Sequence, residues 1–379
     1  DLTPGPEPHR TPDSRARVKR KMPTPRQNLL NFFRHRTPDW IPLTGHCDPY
    51  NQPSREGMDP ELAEALGEVQ WRDRSTIQFS RHLGLDIMDW WQAPLSVTRR
   101  KVEVENQTEG DVTTTIWHTP RGELREVSRT CRAPAGAVSS NRTEYLVQGP
   151  EDLPALASIF EDEVIEPVPE TKSCTRERRE LIGNDGIVLN TIPGTPLGMM
   201  YRTYAGVATL AYLWADAPDA LRDCLAVMER NYLKRLEIGA STAADAIVSV
   251  DDTSTTAISP EMFETCNMDL TDERARRAHA AGKLYFHHSC GLIRDLLPLY
   301  RQTQMDAVHA FTVPPVGNVT IAEGREALGD RITIIAGVEP LQGPMDDRRA
   351  VREKIRRMIE GTTGGDHLVL NLAAYPHRT

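Results

Sequence analysis

No stretch of the sequence approaches the ~20 consecutive apolar residues that a membrane-spanning helix needs, and no signal-type pattern opens it. A membrane partner is therefore not expected. Cys-x-x-Cys pairs are missing as well: the six cysteines, at 47, 131, 174, 224, 266 and 290, are widely scattered. In a chain of 379 residues that pattern reads as reduced thiols of a cytoplasmic protein and not as a disulfide framework. Positive charge is short too, with a formal net charge of −9, which argues against a nucleic-acid partner. No internal repeat at solenoid periods is present.

What is present suits a soluble globular protein, with 39% hydrophobic and 26% charged residues. Residues 1–22 are rich in Pro and Arg with little to bury, so they read as a disordered tail or an arm. Thr24-Pro25 then offers a cap and a first-turn proline for a helix that turns Leu29, Leu30, Phe32 and Phe33 inward. Residues 60–69 and 72–83 read as two more helices. Residues 97–147 alternate at period two, with turns at Glu109-Gly110 and Arg121-Gly122, as an antiparallel meander inserted in or packed beside the main domain. From about residue 185 onward, strand and helix patterns alternate, including a single helix over 260–281 and another over 292–300. Strands near 41, 86, 187, 246, 284, 307, 332 and 368 make about eight, the number required by a (β/α)8 TIM-type barrel. A doubly wound open sheet is the alternative, but no Gly-x-Gly-x-x-Gly follows any of these strands. The expected organisation is thus a tail, 1–22, and one α/β barrel, 23–379, that carries the 97–147 meander.

One stretch concentrates the chemistry. Leu284-Tyr-Phe-His-His-Ser-Cys-Gly291 begins as a short buried strand and breaks off in His288-Ser-Cys290-Gly291. Because side chains alternate along a strand, residues 288 and 290 point the same way where the strand yields to a loop. An imidazole and a thiol so placed can be the first half of a zinc site, at the barrel rim where chemistry sits. On spacing alone the ordinary reading, a buried cysteine and a loop histidine with no metal, is the stronger one, because structural zinc sites show four ligands.

Several motifs together resemble the uroporphyrinogen decarboxylase superfamily. The helix 26–36 followed by Thr37-Pro38-Asp39-Trp40-Ile41-Pro42 is similar to the opening helix and strand entry of that family. Ile192-Pro-Gly-Thr-Pro196 is similar to its central loop, and Ala244-Asp-Ala-Ile-Val-Ser-Val-Asp251 with Ser259-Pro260 to its "ADA…D…SP" stretch. His288-Ser-Cys290-Gly291 matches its H-x-C-G, and residues 335–340 resemble a later motif. The likeness runs from about 24 to 379, outside the meander. It implies a TIM-type barrel, often dimeric, that is either a decarboxylase or a methyltransferase. The methyltransferases bind zinc through His-x-Cys and a later Cys, and pass methyl groups to or from a thiol or a corrinoid protein.

Here no cysteine follows Cys290, and Leu43-Thr-Gly-His46-Cys-Asp-Pro-Tyr50 stands where the decarboxylases carry an arginine-containing motif. The reading taken forward is a methyltransferase with Zn2+ on His288, Cys290 and a third ligand. His309 is the first choice for that ligand, with Glu339, His377 and Asp251 as further candidates. Asp251, Glu339 and Asp86 are the candidate catalytic carboxylates, Asp89 being an alternative to Asp86. Trp90, Trp91, Tyr201 and His46, with Tyr204, are candidates to wall a pocket for a small O- or N-methyl compound, such as a methoxylated aromatic. The acceptor would be a corrinoid protein or a thiol. Two other readings stay open: a metal-independent lyase using Asp86 or Asp89, Tyr201 and Asp251, and a non-catalytic barrel that binds a corrinoid or tetrapyrrole. The chain stops soon after its last strand, short of a full terminal helix, so whether further C-terminal sequence holds a ligand stays open.

Overall fold

A computed structural model describes residues 22–34, 39–45, 75–132, 138–338, 348–363 and 365–372. Strands among these residues are numbered along the chain. Eight of them form one parallel sheet: β1 (Leu43–Gly45), β2 (Ile87–Trp91), β9 (Gly186–Pro193), β10 (Ala246–Val250), β11 (Leu284–His288), β12 (Ala307–Phe311), β13 (Thr333–Gly337) and β14 (Leu368–Leu372). Their order around the sheet is β1-β14-β13-β12-β11-β10-β9-β2, with helices between consecutive strands. The circle is nearly closed by the Asp86 amide, which donates to the Leu43 carbonyl at 2.8 Å. At the other side of β1, Thr44 Oγ1 donates to Asn371 Oδ1 at 3.0 Å. This is the eight-stranded TIM-type barrel expected from the strand count.

Alternation decides what fills the barrel. Met88, Ile187, Leu189, Ala246, Val248, Leu284, Phe286, Ala307, Ile335 and Val369 face inward and form one buried cluster. The helix Pro25–Phe33 plugs the end where the strands begin, adding Leu29, Phe32 and Phe33 to that cluster. Thr24 caps this helix with Gln27 in a reciprocal capping box, and Phe33 meets Phe286 with ring centroids 4.6 Å apart. Outward neighbours such as Ile247, Tyr285, Val308 and Ile334 pack instead against the surrounding helices in the larger core. With the far end plugged and the middle filled, the open mouth lies at the carboxyl ends of the strands.

The meander is present with altered limits. β4 (Glu103–Glu109), β5 (Val112–Thr119), β6 (Gly122–Arg132) and β7 (Val138–Glu144) form a four-stranded antiparallel sheet. Gly110 and Gly122 sit at its first two turns with positive φ, as those turns require. The fourth strand, Val-Ser-Ser-Asn-Arg-Thr-Glu, carries one apolar residue and left no alternation to read. Val97 lies outside this sheet, in β3 (Leu95–Thr98), which pairs with β8 (Val164–Pro167).

Two expected helices are revised. The span 260–281 breaks into Pro260–Cys266 and Met268–Ala280 around the buried Asn267. The span 292–300 shrinks to two short turns, Arg294–Leu296 and Leu297–Tyr300. The expected tail, apart from Met22, and the expected 60–69 helix lie outside the described residues, whereas Ser75–His82 is helical.

Candidate metal centre

The mouth is built on a parity rule. In β11 the inward series 284, 286 runs on to His288 and, in the loop, Cys290. In β10 the inward series 246, 248 runs on to Asp252, two residues past the strand end. Asp252 has φ of 52°, a left-handed conformation that short acidic side chains tolerate. Its amide and that of Asp251 both donate to the His288 carbonyl, at 2.9 and 3.1 Å, tying the two loops together.

The donor atoms converge. His288 Nε2 lies 3.0 Å from Asp252 Oδ1, and Cys290 Sγ donates to the same oxygen at 3.2 Å. Arg202 holds the other carboxylate oxygen, Oδ2, at 3.0 Å, and also donates to the Val250 carbonyl at 2.8 Å. Tyr201 donates to the Asp252 carbonyl from the same single-turn helix, Met200–Tyr204. Among the described residues, one set of three metal-capable side chains has its atoms within 4.8 Å of one another: Asp252, His288 and Cys290. Burial, and then the Asp252 carboxylate beside it, push the Cys290 thiol up to about 12. Burial also works against charge on Asp252, but His288 and Arg202 outweigh it and hold the carboxyl below its ordinary value. The thiol is thus held protonated against a carboxylate, and a cation bound among the three would take that proton's place. A carboxylate, an imidazole and a thiol suit zinc, and three protein ligands leave a position open for a reacting group.

The residues of opposite parity support this set from behind. Asp251 is fully buried; it accepts from Ser249 and from the Thr195 amide, and lies 3.1 Å from His287 Nδ1. Burial opposes its charge, but His287, then Arg274 and Ser249, hold the carboxyl well below the usual range. His287 reaches Thr253 at 2.9 Å, and Thr253 reaches the Tyr300 hydroxyl at 2.6 Å. The Pro193-Gly194 turn lies against this support so closely that a Cβ on Gly194 would stand 2.4 Å from the Val250 carbonyl oxygen. Gly194→Ala is accordingly expected to cost about 1–3 kcal/mol in unfolding free energy and to displace Asp252. A chelator-competition titration should show weakened zinc binding beyond what the lost stability explains.

The expected site residues fall into three groups. His288 and Cys290 come together, Tyr201 touches the loop that follows β10, and Trp90 packs edge-on against His288 with centroids 5.5 Å apart. His309 joins them at the mouth, although its ring lies behind His288 and outside the set of three. The others stand elsewhere. Asp86 is buried where β2 begins, accepting from the Leu43 amide at 3.0 Å and from Trp40 Nε1; burial raises its pKa, and it ties the barrel's closing seam. Asp89 faces outward in a buried two-pronged pair with Arg178, at 2.6 and 2.7 Å. Trp91 also faces outward, donating to Thr175 and lying under Arg178, and Tyr204 packs edge-on against Phe160. Asp251 supports the set without facing the mouth. His46, Glu339 and His377 lie outside the described residues.

Sequence reasoning missed Asp252 and Arg202. Parity counted from Val248 would have picked 252 over 251, just as parity from Met88 separates Trp90 from Asp89 and Trp91. Nothing local marks Arg202.

Residues 145–375 match the family model for uroporphyrinogen decarboxylase (URO-D), which is more than half of the chain. The chain belongs to the uroporphyrinogen decarboxylase family. Asp252, His288 and Cys290 all lie inside the matched span. No curated protein matches the chain. Among solved structures, a methyltransferase from Methanosarcina mazei superposes with a TM-score of 0.58 over 93% of this chain and 94% of that one, at 15% identity. At that identity the likeness is one of fold. No helix among the described residues is long and apolar enough to cross a membrane.

Proposed function

We propose that this family member is a zinc-dependent methyltransferase that moves a methyl group from a small O- or N-methyl compound to a corrinoid protein or a thiol. The observation that carries this reading is the convergence of Asp252, His288 and Cys290 at the mouth of the barrel. The methyltransferase from Methanosarcina mazei, of like fold along nearly the whole chain, agrees with it. Zinc bound there would supply Lewis acidity, easing departure of the donor's oxygen or nitrogen or keeping a thiol as thiolate at neutral pH.

The chain's own residues do the rest. Arg202 keeps one oxygen of Asp252 engaged, so the other faces His288 and Cys290. With a cation bound, Cys290 would release to solvent the proton it directs at Asp252 and could then serve as a ligand. Trp90 offers an aromatic wall next to His288 for an apolar or aromatic donor. A corrinoid carried by a partner, or a free thiol, would receive the methyl group, while the departing oxygen or nitrogen keeps the bonding electron pair.

The metal-independent lyase reading required Asp86 or Asp89 at the pocket, and both are engaged away from the mouth. The test is incubation of the purified protein with a panel of methoxylated aromatics and methylamines plus free cob(I)alamin or a small thiol. Formation of methylcobalamin or a methyl thioether, lost in Cys290→Ser, is expected. Carbon dioxide release from a porphyrinogen, with no methyl transfer, would contradict the proposal.

A further inference from the structure

Two ring nitrogens at hydrogen-bond distance cannot both present lone pairs or both present N–H groups; one must donate. His288 Nδ1 and His309 Nδ1 stand 2.9 Å apart. The second nitrogen of His288, Nε2, faces Asp252 Oδ1 at 3.0 Å, on the side where Cys290 also bonds. A cation held among those three takes the Nε2 lone pair, so the neutral His288 ring carries its proton on Nδ1. That proton points at His309.

We propose that His309 is the outer partner of the metal ligand His288, accepting its Nδ1–H, and is not itself a third ligand. This rests on reading Asp252, His288 and Cys290 as the metal centre. His309 is then a positioning residue: it fixes which nitrogen of His288 is free to bind and how the ring is turned.

The placement of His309 fits that role. It is 4% exposed and pairs directly with His288 in the β11–β12 register. The Ser289 amide donates to its carbonyl at 2.9 Å, which fastens the loop after β11 to β12. The two imidazoles lie within 24° of parallel, and Trp90 packs edge-on against both, at 5.5 and 4.8 Å. Immediately after it the strand bulges: Ala310 takes φ of 61° and the pairing with β13 slips between His309 and Phe311. Bulges commonly re-aim side chains beside active sites, and this one shifts the register right after the histidine before pairing resumes at Phe311.

The test compares the full chain as wild type, His309→Ala and His309→Asn. Zinc affinity is measured by competition with a chromophoric chelator, and the visible spectrum is recorded after loading with Co(II). His309→Ala is expected to weaken zinc binding about 10–100-fold, the usual cost of losing such an outer partner. Asn places an acceptor oxygen where Nδ1 stood and should recover most of that loss. Co(II) band positions should agree in all three proteins, because the ligand set is unchanged. Wild-type affinity in His309→Ala, or lost thermal stability with unchanged affinity, would overturn the proposal. So would altered Co(II) bands in His309→Ala that Asn fails to restore, the result expected of a true ligand. Wild type that binds neither zinc nor Co(II) would instead refute the metal centre itself, and this proposal with it.

Discussion

Replacing Arg274 by Ala is expected to lower unfolding free energy by about 3–5 kcal/mol, because it strands a buried carboxylate. The guanidinium is fully buried and grips Glu229 at 2.9 and 2.6 Å, itself almost wholly buried. It also donates to Ser249 at 2.8 Å and to the carbonyls of Pro193 and Gly194 at 3.1 and 3.3 Å. One side chain therefore joins the helix Met268–Ala280 to the helix Pro218–Ala240 and to the turn behind Asp251. Urea unfolding followed by circular dichroism should show the shifted midpoint. The double variant Arg274→Met with Glu229→Met removes both charges and should regain much of the stability, since apolar replacements of buried pairs are often tolerated. It should not regain full zinc affinity, because Ser249 and the 193–194 carbonyls lose their donor. An unchanged midpoint in Arg274→Ala would show that this pair does not anchor the barrel wall.

The second large effect is expected at Asp252. Asp252→Asn preserves size but removes the charge that faces His288, Cys290 and Arg202. On the proposed ligand set a carboxylate is removed, and zinc affinity should fall by at least about 100-fold, at or beyond the upper end of what an outer-partner change costs. Stability should change far less, because the backbone of residue 252 keeps its bonds to His288 and Tyr201. Equal losses of metal and of fold would mean that the residue is structural and not a ligand. Asp251→Asn offers the contrast: its carboxylate is buried among Thr195, Ser249 and His287, so stability and metal binding should fall together.

The barrel was legible because its evidence is periodic and repeated. Short β-rich runs such as Ala246–Val250 and Leu284–His288 alternate with helical spacing, and each repeat supports the next. His288 and Cys290 were legible because they lie on one strand and the loop that continues it, where parity sets them side by side. What could not be read is what comes from different strands. Parity from Val248 separates Asp252 from Asp251, but nothing in the sequence says that Asp252 meets His288 and Cys290, which belong to another strand and its loop. Asp86, Asp89 and Trp91 looked chemical by type. Their positions made them structural: Asp86 precedes β2, while Asp89 and Trp91 fall on its outer parity, where ion pairs and hydrogen bonds to Leu43, Arg178 and Thr175 absorb them. His309 was expected as a ligand on reach alone, and only the direction of its ring sets it behind His288. The meander's last strand escaped notice because both of its faces are polar and water-exposed, which removes the hydrophobic contrast that marks a strand.

Elemental analysis of protein purified without added metal, wild type beside Cys290→Ser, tests the central claim most directly. The account predicts about one zinc per folded wild-type chain and a marked loss in the variant, with both proteins giving the same far-ultraviolet circular dichroism. Folded wild-type protein that carries no zinc, and takes up none from an excess, would contradict it and return His288 and Cys290 to the ordinary hydrogen bonding of a barrel rim.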